Sequence, residues 1–381
     1  MKKLILAGGG HGHINILKEL IKIPIKDFEV ILITDCRKQY YSGMLSGFIE
    51  GVYKENEIFF DVEKLCSKAG VKYINESIVK IDANKKSITT VNLIDSKSNN
   101  TAQFCKANMD KKRYFNKEYY FDFISMNLGA SSKNIYKIGD NASYVKPIYN
   151  LIEFVKKIDE DINNGKINNK KIIIIGGGAS GIELSYSFRK RYPNFEIDVF
   201  SAKDILYRFN KRTKVKVKTE FINRKINLHV NEAVKDIYDY EVTTNKSKYD
   251  YDYLIVSNGV TGTNIKFEGY DVTKDNFLMV KNDLSANEYS IAMGDMICLK
   301  EYPDIPKAGV FAIRQAPILY INLLNMLKGS EKRVEYMPQK KYLQLINYGD
   351  KKAILNYGKC SIKGSLAWLI KNYIDKDYMK V

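Results

Sequence analysis

The chain has 381 residues, 45% hydrophobic and 28% charged, with a formal net charge of +17. That length supports two or three domains with their own cores, and no apolar run reaches the roughly 18 residues of a transmembrane helix. Its 5 cysteines form no C-x-x-C pair and it has only 3 histidines, which argues against a zinc site, a secreted disulfide framework or a histidine-rich metal centre. The lysines are spread along the chain and no nucleic-acid-binding motif occurs, so nucleic acid is not an expected partner. An anionic membrane surface stays open.

The apolar run Leu4-Ile5-Leu6-Ala7 predicts a strand, Gly8-Gly9-Gly10-His11-Gly12-His13 a tight turn, and Ile14 to Leu20 a helix. Glycines in such a turn let backbone approach a ligand, and the free amides of the helix start hold a pyrophosphate. The next strand, Phe28 to Thr34, ends at Asp35, placed to accept hydrogen bonds from an adenosine ribose. Against G-x-G-x-x-G the match is Gly8, Gly10 and then His13 in place of the third glycine, beside the expected pyrophosphate. With a core strand at the very front and no leader before it, a cytoplasmic location is expected.

Residues Cys36 to Gly51, with Ser42 and Gly43, read equally as a segment lining a cofactor's reactive ring or as a packed connector. Val71–Ile74, Ser77–Asp82 and Ser87–Ile94 predict short strands in an inserted antiparallel meander. Asp95–Lys117, polar and without period, predicts a loop holding Cys105. Tyr119–Met126 predicts one strand, followed by a small-residue turn at Asn127–Ser132 that includes Gly129. Lys146-Pro147 leads into an amphipathic helix, and a turn-rich linker over 163–170 leads to a second unit.

There the fingerprint is complete: Lys171–Ile175, then Gly176, Gly178 and Gly181, then a helix. Ser201 is expected where an acidic residue would select NADH, so NADH and NADPH are not distinguished. Two such fingerprints imply two nucleotide domains. Glu288–Asp295 predicts a strand ending in Gly294-Asp295, whose carboxylate suits a ribityl chain. Lys307 to Ala316, with Gly309, opens a helix whose N-terminus would face a flavin and stabilise its reduced, anionic form. A hairpin (342–347 and 352–357) precedes an amphipathic tail. Its stripe of Leu366, Leu369, Ile370, Tyr373 and Ile374 reads as a helix packed on its own core, ahead of a membrane or dimer contact.

Taken in order, these motifs resemble the FAD-dependent pyridine nucleotide–disulfide oxidoreductase superfamily, in its type II NADH:quinone oxidoreductase branch. Gly-Gly-Gly-His-Gly-His, Tyr41-Ser42-Gly43-Met44, Lys146-Pro147, Gly294-Asp295, Lys307-Ala308-Gly309-Val310 with Arg314-Gln315, and the Trp368 tail are similar to the flavoprotein domain found beside selenide, water dikinase. The resemblance implies an α/β fold of two Rossmann-like domains of glutathione reductase-like build, the second inserted in the first. FAD would occupy 1–150 with 253–330, NAD(P)H would occupy 151–252, and 331–381 would form a hairpin and helix. It implies FAD contacts at Gly8, Gly10, His11, His13, Asp35, Gly294 and Asp295, with Ser42, Gly43, Gly129, Lys146 and Gly309 as further candidates. Nicotinamide nucleotide contacts would be Gly176, Gly178 and Gly181, with Glu183 near the nicotinamide. The expected reaction passes hydride from NAD(P)H to FAD and electrons on to a quinone or small acceptor. Lys307 would support reduced flavin, and Arg314 and Gln315 would line the acceptor side. Alternatives are a sulfide or selenium-compound oxidoreductase, which needs reactive cysteines such as Cys298 or Cys360, and a non-catalytic flavin redox sensor. A peripheral position on the inner face of the membrane and a homodimer are also open.

Overall fold

The computed structural model describes residues 1–93, 114–167 and 169–380. Its helices among those residues are α1 (His11–Lys22), α2 (Leu45–Ile49), α3 (Val62–Ala69), α4 (Ile148–Asn163), α5 (Ala179–Arg191), α6 (Lys211–Asn223), α7 (Gly309–Leu327) and α8 (Ser365–Tyr378). The strand Lys2–Ala7 lies between Phe28–Ile33 and Phe123–Met126, parallel to both. Lys72–Ile74 extends this sheet on one side, and Ser290–Ala292 then Ser285–Asn287 on the other. Leu4, Ile5, Leu6 and Ala7 are fully buried, as a central parallel strand covered on both faces must be. Ile14, Ile16, Leu17 and Leu20 of α1 pack on the same core, as do Phe311, Leu319, Leu323 and Met326 of α7. Although α7 is long and apolar enough to cross a membrane, this packing makes it a core helix here. The α3 boundaries follow local chemistry: the Asp61 side chain accepts from the Lys64 amide at 3.0 Å, and Gly70 ends the helix at φ +65°.

A second parallel sheet runs Ala142–Tyr144, Tyr253–Val256, Lys171–Ile175, Glu196–Ser201, Asn227–Val230. Strand pairing therefore carries the second unit beyond the expected 151–252 limits, taking in one strand on each side. Both crossings between units are hydrogen-bonded into this sheet, a long-range pairing that local sequence does not reveal.

Ser77–Asp82, Ser87–Leu93 and Tyr114–Tyr120 form the expected meander. The predicted loop over 95–117 is corrected at its end, since Tyr114 already pairs with Leu93; Cys105 lies outside the described residues. The predicted strand Tyr119–Met126 is two strands. Phe121 donates to the Lys86 carbonyl and Asp122 accepts from the Lys3 amide at 2.7 Å, turning the chain from meander to main sheet. Glu288–Asp295 likewise contains only the short strand Ser290–Ala292, joined by a turn to Ser285–Asn287.

The C-terminal hairpin gains a third antiparallel strand, Cys360–Gly364, beside Gln344–Asn347 and Ala353–Tyr357. The tail is corrected in orientation. Ala367, Lys371 and Asp375 of α8 are buried, whereas Leu366, Leu369, Tyr373 and Ile374 are 64%, 55%, 71% and 40% exposed. These four residues of the expected packed stripe face outward, while Ile370 and the neighbouring Trp368 pack on the hairpin core.

Candidate dinucleotide and electron-transfer site

The first glycine turn is built around a residue far away in sequence. Asn127, just beyond Phe123–Met126, accepts from Gly10 N through its carbonyl (3.1 Å) and from Gly12 N through Oδ1 (2.8 Å). Its Nδ2 donates to the Met293 carbonyl at 3.0 Å. Gly8 sits at φ +94°, and a Cβ there would stand 2.6 Å from the Asn127 carbonyl oxygen. Gly10 has no side chain to cap α1; Asn127 Oδ1 takes the Gly12 amide instead, and the dipole of the helix start remains directed at the turn. Asp35 is exposed just past Phe28–Ile33, with one oxygen accepting from Ser77 Oγ at 2.5 Å.

The two histidines of the turn part company. His13 is fully buried and does not face the pyrophosphate side. Its Nδ1 meets the Gly8 carbonyl at 2.6 Å and its Nε2 meets Ser125 Oγ at 2.9 Å. A carbonyl can only accept, so Nδ1 carries the proton and Nε2 accepts from the serine. His13 is thus a positioning residue behind the turn. The tight helix–sheet approach has moved to Gly12, where a Cβ would stand 2.1 Å from Met293 Sδ. His11 lies edge-on to Tyr41 and Tyr378, with ring centroids 5.6 and 5.4 Å away. Its Nδ1 is buried without a partner, and burial pulls its pKa down to about 4. The open helix start, the exposed carboxylate and this unpartnered nitrogen fit the ADP half of FAD.

The Gly294-Asp295 turn closes the other end. Gly294 sits at φ +83° and donates to Gln315 Oε1 at 2.8 Å. Gln315 is buried and orients this turn. Arg314 is exposed on α7 and is not part of the small cavity that Gln315 lines with Gly294, Asp295, Ile297, Lys307 and Phe311. Asp295 pairs with Lys146 at 2.5 Å, bringing together residues predicted separately. Lys307 donates to the Ile297 carbonyl and stands 4.5 Å from the Phe277 ring centre; burial lowers its pKa. Gly309 is the first residue of α7, and Gly129 (φ +73°) leaves open space at the turn after Asn127. Cys298 lies between two cavity-lining residues, Ile297 and Leu299, on one strand, and is buried close enough to Lys307 to act on its charge. Among the described residues, Cys66, Cys298 and Cys360 form no disulfide.

The second turn repeats the first. Gly176 N donates to Phe200 O at 2.8 Å, as Gly8 N does to Ile33 O at 2.8 Å. A Cβ on Gly181 would stand 2.1 Å from the Gly176 carbonyl, the group whose counterpart His13 binds in the first unit, while Gly178 faces open space. This register corrects the ribose position. Thr34 lies beside Gly9 as Ser201 lies beside Gly177, so the counterpart of Asp35 is Ala202 and not Ser201.

Glu183 of α5 is brought to the Ser42–Gly43 segment by the C-terminal region. It accepts from Ser46 Oγ and from Asn347 N, both at 3.0 Å. Lys371 Nζ lies 4.0 Å from it, pairs with Asp375 at 2.7 Å and donates to the Gly43 carbonyl. Burial holds Glu183 above the usual carboxylate range, opposed by Lys371. Asn127, Lys371 and Asp375 carried no local motif. Only the small residues around Asn127 and the lysine spacing of the tail hinted at them.

Comparison with known proteins agrees with this geometry. The type II NADH:quinone oxidoreductase of Staphylococcus aureus is 20% identical, over 98% of this chain and 94% of that protein. NDH2 of Plasmodium falciparum, solved in complex with NADH, superposes with a TM-score of 0.81 at 16% identity, covering 99% of this chain and 96% of that one. The sulfide:quinone oxidoreductase of Aquifex aeolicus gives a TM-score of 0.74 at 16% identity, over 99% and 90% of the two chains. The model of the pyridine nucleotide-disulphide oxidoreductase family matches residues 2–316, and the chain belongs to that family.

Proposed function

We propose that the protein is an FAD-dependent NAD(P)H dehydrogenase that delivers electrons to a quinone or a similar small acceptor. The observation that carries this is the pair of dinucleotide turns with the same amide-to-carbonyl bond, Gly8 to Ile33 and Gly176 to Phe200, in one chain. FAD, when bound along the first unit, supplies the hydride acceptor and the electron relay. The α1 dipole and the backbone of the glycine turn would hold its pyrophosphate, and Asp35 would accept from its ribose. Asp295, held by Lys146, takes the ribityl end. Lys307 places positive charge beside the same cavity, and Gln315 fixes the Gly294 turn. Glu183, Lys371 and Asp375 keep the Ser42–Gly43 segment against the second unit. A groove of about 510 Å³ adjoins the small cavity and shares Tyr302, Ile305, Pro306 and Phe311 with it. Tyr342, Gln339 and Gln344 also line it, giving aromatic and amide contacts suited to a quinone. Purified protein is expected to carry FAD and to bleach anaerobically with NADH or NADPH. Flavin-free protein, or flavin that neither nucleotide bleaches, would overturn the reading.

A second feature concerns location. The outward stripe of Leu366, Leu369, Tyr373 and Ile374 is flanked by exposed Lys363, Lys376 and Lys380, a pattern for an anionic membrane surface. The protein is expected to sediment with vesicles containing phosphatidylglycerol and to be released by replacing Leu366 and Leu369 with serine. Equal binding by that variant would sink the membrane reading.

A further inference from the structure

Both nucleotide units use the same turn, yet they differ where the second strand ends. In the first, Thr34 is followed by exposed Asp35. In the second, Ser201 is followed by exposed Ala202 and Lys203. A carboxylate at this point accepts from a free ribose hydroxyl and repels a phosphate; alanine followed by lysine removes the repulsion and adds attraction. Among the described residues, Lys203 pairs with no carboxylate.

The neighbouring acids do not replace the missing one. Asp204 is held by Lys218 at 2.8 Å and Lys214 at 3.2 Å, both on α6. Glu232 donates its backbone N–H to the Ser201 carbonyl. Its carboxylate is buried, accepting from Thr244 Oγ1 at 2.7 Å and Tyr249 OH at 3.0 Å. The rim of the second unit is therefore cationic: three lysines against the one exposed carboxylate of Asp204. We infer that the second unit prefers NADPH to NADH, reading the 2′-phosphate through the gap at Ala202 and the charge of Lys203, with Lys214 and Lys218 adding to the local field. This rests on the assignment of the second unit as the nicotinamide nucleotide site.

The test uses the FAD-loaded protein, whose first unit is filled. By calorimetry, adenosine 2′,5′-bisphosphate is expected to bind at least about tenfold more tightly than AMP. In anaerobic stopped flow, half-saturation of flavin bleaching should come at an NADPH concentration at least about tenfold below that for NADH. Lys203→Ala should raise the NADPH half-saturation several-fold more than it lowers the limiting rate, a split that general structural damage would not produce. Ala202→Asp should reverse the preference. Equal or weaker binding of the bisphosphate, or an NADH preference that Ala202→Asp leaves unchanged, would overturn the inference. Tight bisphosphate binding in a protein whose flavin neither nucleotide bleaches would uphold it while refuting the proposed reaction.

Discussion

At the scale of single residues, His13 shows how a departure from a motif becomes a structural device. In the second unit the third glycine presses against the carbonyl of the first. In the first unit an imidazole captures that carbonyl and ties it to Ser125. His13→Ala would leave a cavity and orphan the Gly8 carbonyl. It should cost roughly 3 kcal/mol in unfolding free energy while weakening FAD by less than about tenfold. Denaturant titration and FAD titration of the apoprotein measure the two; a large loss of FAD affinity at unchanged stability would mean that His13 contacts the cofactor after all. Burial, opposed by the bond to Gly8, lowers its pKa from 6.5 to about 4. Above pH 6.5 the imidazole is neutral in both folded and unfolded chains and contributes no slope. Between 6.5 and about 4 only the unfolded chain takes up the proton, so stability falls with acidification and levels off below, by roughly 3 kcal/mol in all. His13→Gln should remove its share of that slope and leave the share of His11, which burial shifts over the same window.

At the scale of elements, α8 works by an inversion of the usual amphipathic rule. Its inward face carries Ala367, the half-buried Trp368 and Ile370 and a buried ion pair, while Leu366, Leu369, Tyr373 and Ile374 look outward. Sequence periodicity shows that a helix has two faces but not which one the sheet covers, because a small alanine and a paired lysine can pack as closely as a leucine row. Burial alone would lower the Lys371 pKa, but Glu183 and Asp375 outweigh it and hold it raised. Lys371→Met leaves two carboxylates buried without their cation and should destabilise the protein by roughly 3 kcal/mol, with faster hydrogen exchange in α8. Adding Asp375→Leu should restore much of the loss. If Lys371→Met exchanges like the parent protein, the cluster does not hold α8 in place.

At the scale of the molecule, both nucleotide turns and their parallel strands were legible because each is a local pattern: an apolar run, a glycine cluster and a helical period. The meander was legible for the same reason. What escaped depends on contacts between distant segments. Asn127 reaches Gly10, Gly12 and Met293; Gln315 reaches Gly294; and the strands Ala142–Tyr144 and Tyr253–Val256 join the second sheet from outside its expected limits. The ribose position moved by one residue only once strand register was known. In the proposed reaction one chain receives a hydride on its second unit's side and releases electrons to a separate acceptor through its first. Double-mixing stopped flow tests it most directly: reduce the FAD-loaded protein anaerobically with one equivalent of NADPH or NADH, then mix with a soluble quinone. Complete bleaching should be followed by recovery of the oxidised flavin spectrum, with quinol formed in equal amount. Bleached flavin that persists in the presence of quinone would contradict it.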